Sequence, residues 1–355
     1  MQKIRNNLLY APEDFYRLEK IDAHVHVNGD EDAFIQQSKA DNFKLLSINV
    51  DAGEFPSIEE QMAICENLLK ENRDCFAFVS TFPIQGWDRE NWVERTLRRI
   101  DAGLNKGAVA VKIWKNIGME YKDDQGRYVM IDNPGFTPVF EHIVEKNIPL
   151  LAHIGEPKDC WLPLEQISLK YIHDYYQNHP QYHMYRHPEF PSYAEQLASR
   201  DRMLDNNPKL KFLAVHLASL EWDISRVAQF LNTYSNAHVD LAARMMYLQY
   251  QSVKNHSAVR DFFLTYQDRI LYGSDIIQEP GISADCLKND IHSQWINDWQ
   301  FLVTAQVMQT NEFKGDFKGL ALPRPVIDKI YRENAQRMFP QAWRIDHLDR
   351  TFRVF

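Results

Sequence analysis

Eight short apolar runs rich in β-branched residues, separated by longer amphipathic stretches, constrain this chain more than any other feature. The runs fall at residues 20–26, 44–50, 75–82, 108–114, 149–153, 210–216, 237–241 and 269–275. Between them, helix-period patterns predict helices over 58–71, 89–102, 136–146, 193–206, 223–231 and 257–266. A strand that leaves through a crossover helix returns as a parallel neighbour, and eight such strands close a barrel. The expected fold is therefore α/β, a (β/α)8 TIM barrel forming a single domain over residues 1–355. A doubly wound open sheet is the rival, but it requires a glycine-rich phosphate turn after the first strand. His24-Val25-His26-Val27-Asn28-Gly29 is not such a turn.

Two connections exceed ordinary loop length, and both leave the carboxyl ends of strands, the face on which such barrels carry their active sites. Residues 155–192, after the fifth strand, form a lid-like excursion dense in aromatics, histidines and prolines. Residues 276–299, after the eighth, are expected to form a second long loop. A last amphipathic helix over 326–339 is expected to close the barrel.

The strand ends share a pattern. The first run carries His24 and His26, which a strand projects from one face. The fifth ends at His153, the sixth at His216 and the eighth at Asp275, each an apolar run finished by one group able to bind a metal. In a barrel these ends converge on one mouth. Three histidines and a carboxylate suit Zn2+, or another divalent ion such as Mn2+ or Fe2+, with a position left for water. Such an ion lowers the pKa of water, and Asp275 or His216 can accept the proton.

These segments, Ile21-Asp22-Ala23-His24-Val25-His26, Ala152-His153-Ile154-Gly155-Glu156-Pro157, Ala214-Val215-His216-Leu217-Ala218-Ser219 and Leu271-Tyr272-Gly273-Ser274-Asp275, resemble the amidohydrolase superfamily. The likeness is to its amidohydrolase-2 group, which includes aminocarboxymuconate-semialdehyde decarboxylase-like proteins. The tail, Ile330 to Phe339, resembles that group's carboxyl-terminal helix. The resemblance implies that His24, His26, His153 and Asp275 hold the metal, and that His216 is a general base, a polarising group or a ligand to a second ion. It implies no single reaction, since the group contains amide and lactone hydrolases, decarboxylases and hydratases.

Each residue also has a plainer reading. Asp275 is able to cap a turn, and His216 to serve only as a hydrogen-bonding neighbour of the ligands. Lys112, on the fourth strand, is costly to bury as a cation. It is read as a substrate anchor, a structural ion pair or, by the resemblance, a carboxylated lysine bridging two metals. Glu156 and Trp161 are further candidates for the substrate pocket, the first against turn chemistry and the second against rim packing. His183 and His187, spaced as on one helix face, lie among prolines that oppose a helix. They are read as lid residues near substrate, or as loop packing. Arg244 either grips a substrate carboxylate or pairs with Asp240.

Net charge of −9 and the lack of a basic stripe disfavour a nucleic-acid partner. No run is long enough to span a membrane, and residues 1–7 lack an apolar signal core. Four scattered cysteines are expected to be buried free thiols. Together these point to a cytoplasmic enzyme with a small-molecule substrate, a homo-oligomer being permitted. The leading expectation is a metal-dependent hydrolase in which activated water attacks an amide, lactone or ester. The alternatives are a metal-dependent lyase, decarboxylase or hydratase, acting on a small carboxylic acid, and a non-catalytic metal-binding barrel.

Overall fold

The computed structural model describes residues 8–29, 32–279 and 281–344, so residues 1–7, read above as lacking a signal core, lie outside the described residues. The strands are β1 (Lys20–His26), β2 (Phe43–Ile48), β3 (Phe76–Thr81), β4 (Val111–Ile113), β5 (Leu150–Ala152), β6 (Phe212–Ala214), β7 (Ala237–Asp240), β8 (Ile270–Leu271) and β9 (Ile276–Ile277). They pair in parallel, from β8 through β7 and on in order to β1, with β9 on the far side of β1. β8 and β9 are two pieces of one strand. Ile270 pairs with Val239 on β7, and Ile276 pairs with Val25 on β1, so the broken eighth strand closes the ring. Across the break, Ala23 N–H donates to Tyr272 O (2.9 Å) and Asp275 N–H donates to His24 O (2.8 Å). The fold is the expected α/β barrel.

Alternation along each strand sorts side chains into two cores. Ile21, Ala23, Leu46, Val79, Leu213 and Leu271 fill the barrel interior, whereas Val25, Leu45, Val111, Leu150, Phe212 and Ile270 face the surrounding helices. The amino-terminal end is plugged by Ala335, Met338, Phe339 and Trp343, and Trp343 Nε1 donates to Leu45 O at 3.0 Å. The expected last helix runs over residues 324–338 with a wider turn at Lys329–Glu333.

β1 contains an irregularity that matters for the site. Asp22 pairs with Leu45 but Val25 with Ser47, three steps against two, so β1 carries a bulge. Ahead of it, Ile21 and Ala23 face inward; beyond it, Val25 and Val27 face outward. The bulge therefore turns His24 and His26 into the mouth while Asp22 points out, its Oδ2 accepting from Trp295 Nε1 at 2.8 Å.

Two expectations are corrected by the helices. Residues 276–299 are largely not a loop: after β9, helix Ala284–Val303 packs against Ala33–Ala40, itself unforeseen. Leu287, Ile291, Trp295, Trp299 and Leu302 form its buried stripe, a helical spacing diluted by the polar residues of its solvent face. The helix expected at 257–266 begins earlier, as Met245–Thr265 with a break at Asn255. Excursion 155–192 holds short 3-10 turns and helix Lys170–Asn178 around Cys160, Leu169, Tyr176 and Met184. Of the free cysteines, Cys65, Cys75 and Cys160 are buried as expected, but Cys286 is exposed. Among the described residues no helix is long and apolar enough to cross a membrane.

Candidate metal centre

The five strand-end groups meet at the carboxyl-terminal mouth. Ring centroids lie 5.4 Å apart for His24 and His26, 4.9 Å for His24 and His216, and 4.3 Å for His153 and His216. Asp275 Oδ1 is 3.1 Å from His24 Nε2 and 3.4 Å from His26 Nε2. The imidazoles are buried, while the Asp275 side chain keeps 22% exposure and so reaches the open mouth.

Simple alternation delivers His153, which shares one face of the fifth strand with Leu151; Asp275 keeps the inward sense of Leu271 and Gly273 only across the break in the eighth strand, at a φ of 68°. His216 is different. Leu213 and Val215 face inward, so a continued strand would send His216 outward. Instead His216, Leu217, Ala218 and Ser219 all adopt the left-handed region, with φ of 58°, 54°, 61° and 55°. At roughly 1–2 kcal/mol for each non-glycine residue, such a turn persists only if its surroundings hold it. Ser219 Oγ donates to Ile154 O (2.9 Å), Arg200 donates to Ala218 O, and the Tyr193 hydroxyl donates to Ser219 O.

Hydrogen bonds fix which ring nitrogens are free. His26 Nδ1 is 2.7 Å from Ile48 O and His216 Nδ1 is 2.9 Å from Ala242 O. A carbonyl only accepts, so both Nδ1 atoms carry a proton, and in the neutral ring Nε2 presents the lone pair. His24 Nδ1 lies 2.8 Å from Asp240 Oδ2. Burial first, then the cation Lys112, pushes His24 well below its ordinary pKa, so the ring is neutral and its Nε2 lone pair faces the Asp275 carboxylate. Burial likewise lowers His153, aided by Lys115, and His216, aided by His153. Burial would raise Asp275, and the cation Arg244 pulls the other way. The buried atoms His24 Nε2, His216 Nε2 and both nitrogens of His153 have no hydrogen-bond partner among the described residues. Buried acceptors aimed at one another are unstable unless a cation lies between them. The donor set therefore fits a divalent ion, and borderline N/O ligands suit zinc and its neighbours.

The other candidates separate. Lys112 faces the interior, fully buried, and its Nζ has no hydrogen-bond partner among the described residues. Burial brings it down to about 8 despite Asp240 and Asp275. Arg244 is buried near Glu221, not paired with Asp240 as one reading had it. Its Nε lies 3.9 Å from Glu221 Oε2, beyond hydrogen-bonding reach. Glu221, unnoticed in the sequence, is pushed up to about 7 by burial against the pull of Arg244. Glu156 pairs with Lys115, and the Glu156 carboxylate stands 4.0 Å from His153 Nε2. Trp161 donates to Pro191 O (3.3 Å) and packs on Tyr193. The structure places His183 and His187 inside the excursion, where their Nε2 atoms contact Leu162 O (2.8 Å) and Pro180 O (3.0 Å). Asp240 is the main residue whose role was missed. It ends the seventh strand as a titratable group closing an apolar run, the same signal that marked the other strand ends.

The sequence profile of the family described as Amidohydrolase matches residues 21–341. A search of curated proteins finds no match to the sequence. Among solved structures, 2,6-dihydroxybenzoate decarboxylase from Rhizobium superposes with a TM-score of 0.52 at 15% identity, covering 90% of this chain and 98% of that one. The same kind of enzyme complexed with 2,6-dihydroxybenzoate gives 0.51 at 17% identity, covering 87% and 88%. A lactonase from Listeria monocytogenes gives 0.44 at 13% identity, covering 94% and 98%. At these identities the likeness to the two decarboxylase structures is one of fold.

Proposed function

From the premise that this chain belongs to the amidohydrolase family, we propose a metal-dependent hydrolase cleaving an amide, lactone or ester bond of a small substrate that carries a carboxylate. The observation that carries it is the set of bare acceptor nitrogens on His24, His153 and His216, gathered with Asp275 at one mouth. His24, His26, His153 and Asp275 would hold the ion, zinc being the best fit to this donor set. When bound, such an ion would supply Lewis acidity to polarise a carbonyl and acidify water.

The chain's own residues supply the rest. Asp275, ionised and partly open to the mouth, takes a proton from the attacking water. His216, neutral with its Nε2 bare, lies on the other side of His24; it would first accept at Nε2 the proton that Asp275 removes from water, and then pass that proton to the leaving group. Phe55 packs on His26 at 5.0 Å and Trp114 on His153 at 5.0 Å, apolar walls that keep water from the ligands. Lys112 and Arg244 offer the substrate carboxylate two buried cations.

Those same cations favour a second reading, a lyase that removes or hydrates beside the carboxylate they hold. A panel of N-acyl amides, lactones and unsaturated or aromatic acids, each with and without a carboxylate, tests both against metal-replete protein. Release of an acid group supports hydrolysis and release of carbon dioxide supports decarboxylation. Turnover indifferent to chelators refutes both, and turnover indifferent to the substrate carboxylate refutes the role given to Lys112 and Arg244.

A further inference from the structure

Asp240 stands at the carboxyl end of β7, fully buried, and both of its oxygens are committed. Oδ2 lies 2.8 Å from His24 Nδ1. Oδ1 accepts from the backbone N–H of His216 at 2.6 Å and from that of Ala242 at 3.3 Å. With its lone pairs engaged in this way, Asp240 is poorly placed to be a ligand itself, although it lies beside His24 and His216.

We propose that Asp240 is a positioning residue that sets two members of the site at once: the tautomer of His24 and the left-handed turn that presents His216. A carboxylate facing Nδ1 keeps the proton there and leaves Nε2 bare toward Asp275. The same group anchors the first N–H of a run of four left-handed residues, where the backbone departs from the strand. The two duties need an acceptor at both ends of one planar side chain, which aspartate alone provides at this length. Asparagine is isosteric but has one acceptor and one donor end. Turned one way, its amide N–H2 opposes the His216 N–H. Turned the other, it opposes the His24 Nδ1–H and drives that proton to Nε2, where the ion would be coordinated. Ala242 extends the coupling, since its N–H binds Asp240 and its carbonyl binds His216 Nδ1 (2.9 Å). This rests on the metal-dependent reading in one respect only, that His24 Nε2 is a ligand atom.

The test is an imidazole 15N spectrum of the metal-free full chain, with His24 identified by the signal lost in His24→Gln. The wild type should show Nδ1 protonated and Nε2 bare at His24. Asp240→Asn should shift His24 toward the other tautomer and weaken Zn2+ binding about 10–100-fold. Ser219→Ala loosens the same turn at its Ile154 anchor without touching His24, and should keep both tautomer and affinity. A wild-type His24 protonated at Nε2 overturns the proposal, and does so even if Asp240→Asn fails to fold. So does a folded Asp240→Asn whose affinity stays within about threefold of wild type, or a Ser219→Ala that weakens the ion equally. Failure of the wild type to bind Zn2+ or Mn2+ would instead sink the metal-dependent reading and leave the tautomer assignment standing.

Discussion

Replacing Gly273 by alanine should damage the site by steric pressure alone. Gly273 occupies the inward position between Leu271 and Asp275 on the broken eighth strand. A Cβ placed there lies 2.7 Å from His24 Cβ, 3.4 Å from Ala242 Cβ and 3.5 Å from His24 N. Carbon atoms settle about 3.5–4.0 Å apart, so roughly 1 Å must open between β1 and the eighth strand. His24 Cβ is bonded directly to the backbone and cannot swing aside. Either the two strands part, or the ring tilts and loses its 2.8 Å contact with Asp240. Overpacking of this kind costs about 1–3 kcal/mol. Gly273 does not sit in the left-handed region, so alanine brings no φ strain. Its smaller unfolded-state entropy returns about 0.4–1 kcal/mol, leaving a net loss on the order of 1–2 kcal/mol. A ligand displaced by up to about 1 Å should lower turnover by about a hundredfold. Urea unfolding of the metal-free protein, with ion titration alongside, reads both effects. Gly53→Ala is the comparator, because a Cβ there meets nothing within 4 Å. If Gly273→Ala proves as stable as Gly53→Ala and binds the ion equally well, the close approach of these strands is not what positions His24.

Asp275→Asn should lose turnover by more than about a hundredfold, the scale of a missing general base, while the fold persists. Asp275 has φ of 68°, a conformation asparagine tolerates, so retained circular dichroism with near-normal activity would refute its role. Metal-replete protein should carry about one ion per chain by elemental analysis, with unfolding stabilised by about 2.7 kcal/mol at a free ion concentration a hundred times the dissociation constant. Two ions per chain would favour a bridging Lys112 instead. Asp298, pushed by burial from 3.8 up to about 7 while accepting from the Tyr272 hydroxyl (2.9 Å), gives a pH signature. Its folded form binds a proton that the unfolded chain has released, so its contribution to stability is lost as pH rises from about 4 to about 7. Asp298→Asn should remove that fall, a gain of up to roughly 4 kcal/mol at pH 8 and little at pH 4. Parallel stability–pH curves for the two proteins would refute the assignment.

The fold was legible because its signal is repeated. Bounds of β1 and of helices Ile58–Glu71 and Tyr193–Asn206 follow from apolar period and from Ser57 and Ser192, whose hydroxyls cap those helices in reciprocal pairs with Glu60 and Glu195. Helix Ala284–Val303 was harder to read, because its apolar stripe is spread over 20 residues with long polar gaps. In the site, His153 could be located from alternation alone, and Asp275 from its place at the end of an apolar run, though not the left-handed φ of 68° at which it sits. The bulge in β1 and the left-handed turn at His216 could not, since a backbone irregularity leaves no trace in residue period. Glu221 and the failed pairing of Arg244 with Asp240 belong to the same class. They depend on which of several nearby carboxylates a long side chain reaches, and that distance is set by tertiary packing.

The two irregularities share a physical cause. A strand offers the barrel interior only every second residue, so an undistorted β1 that sends Ile21 and Ala23 inward would send His24 and His26 toward the helices. One bulge reverses that sense above the apolar layers, and the left-handed turn does the same for β6 above Val215. Both strands can then contribute apolar side chains to the lower barrel and imidazoles to its mouth. The β6 turn lies where strand pairing ends and the β1 bulge within the strand, and at each a buried carboxylate takes over a backbone N–H: Asp240 that of His216 and Asp22 that of His24 (3.2 Å). At the opposite end Met338, Phe339 and Trp343 fill the barrel with regular apolar packing, worth about 1.5–3 kcal/mol for each fully buried large side chain. Strain is tolerated at one end because the other is closed, and this separation lets the mouth hold a denser set of buried polar groups than a regular strand pattern could supply.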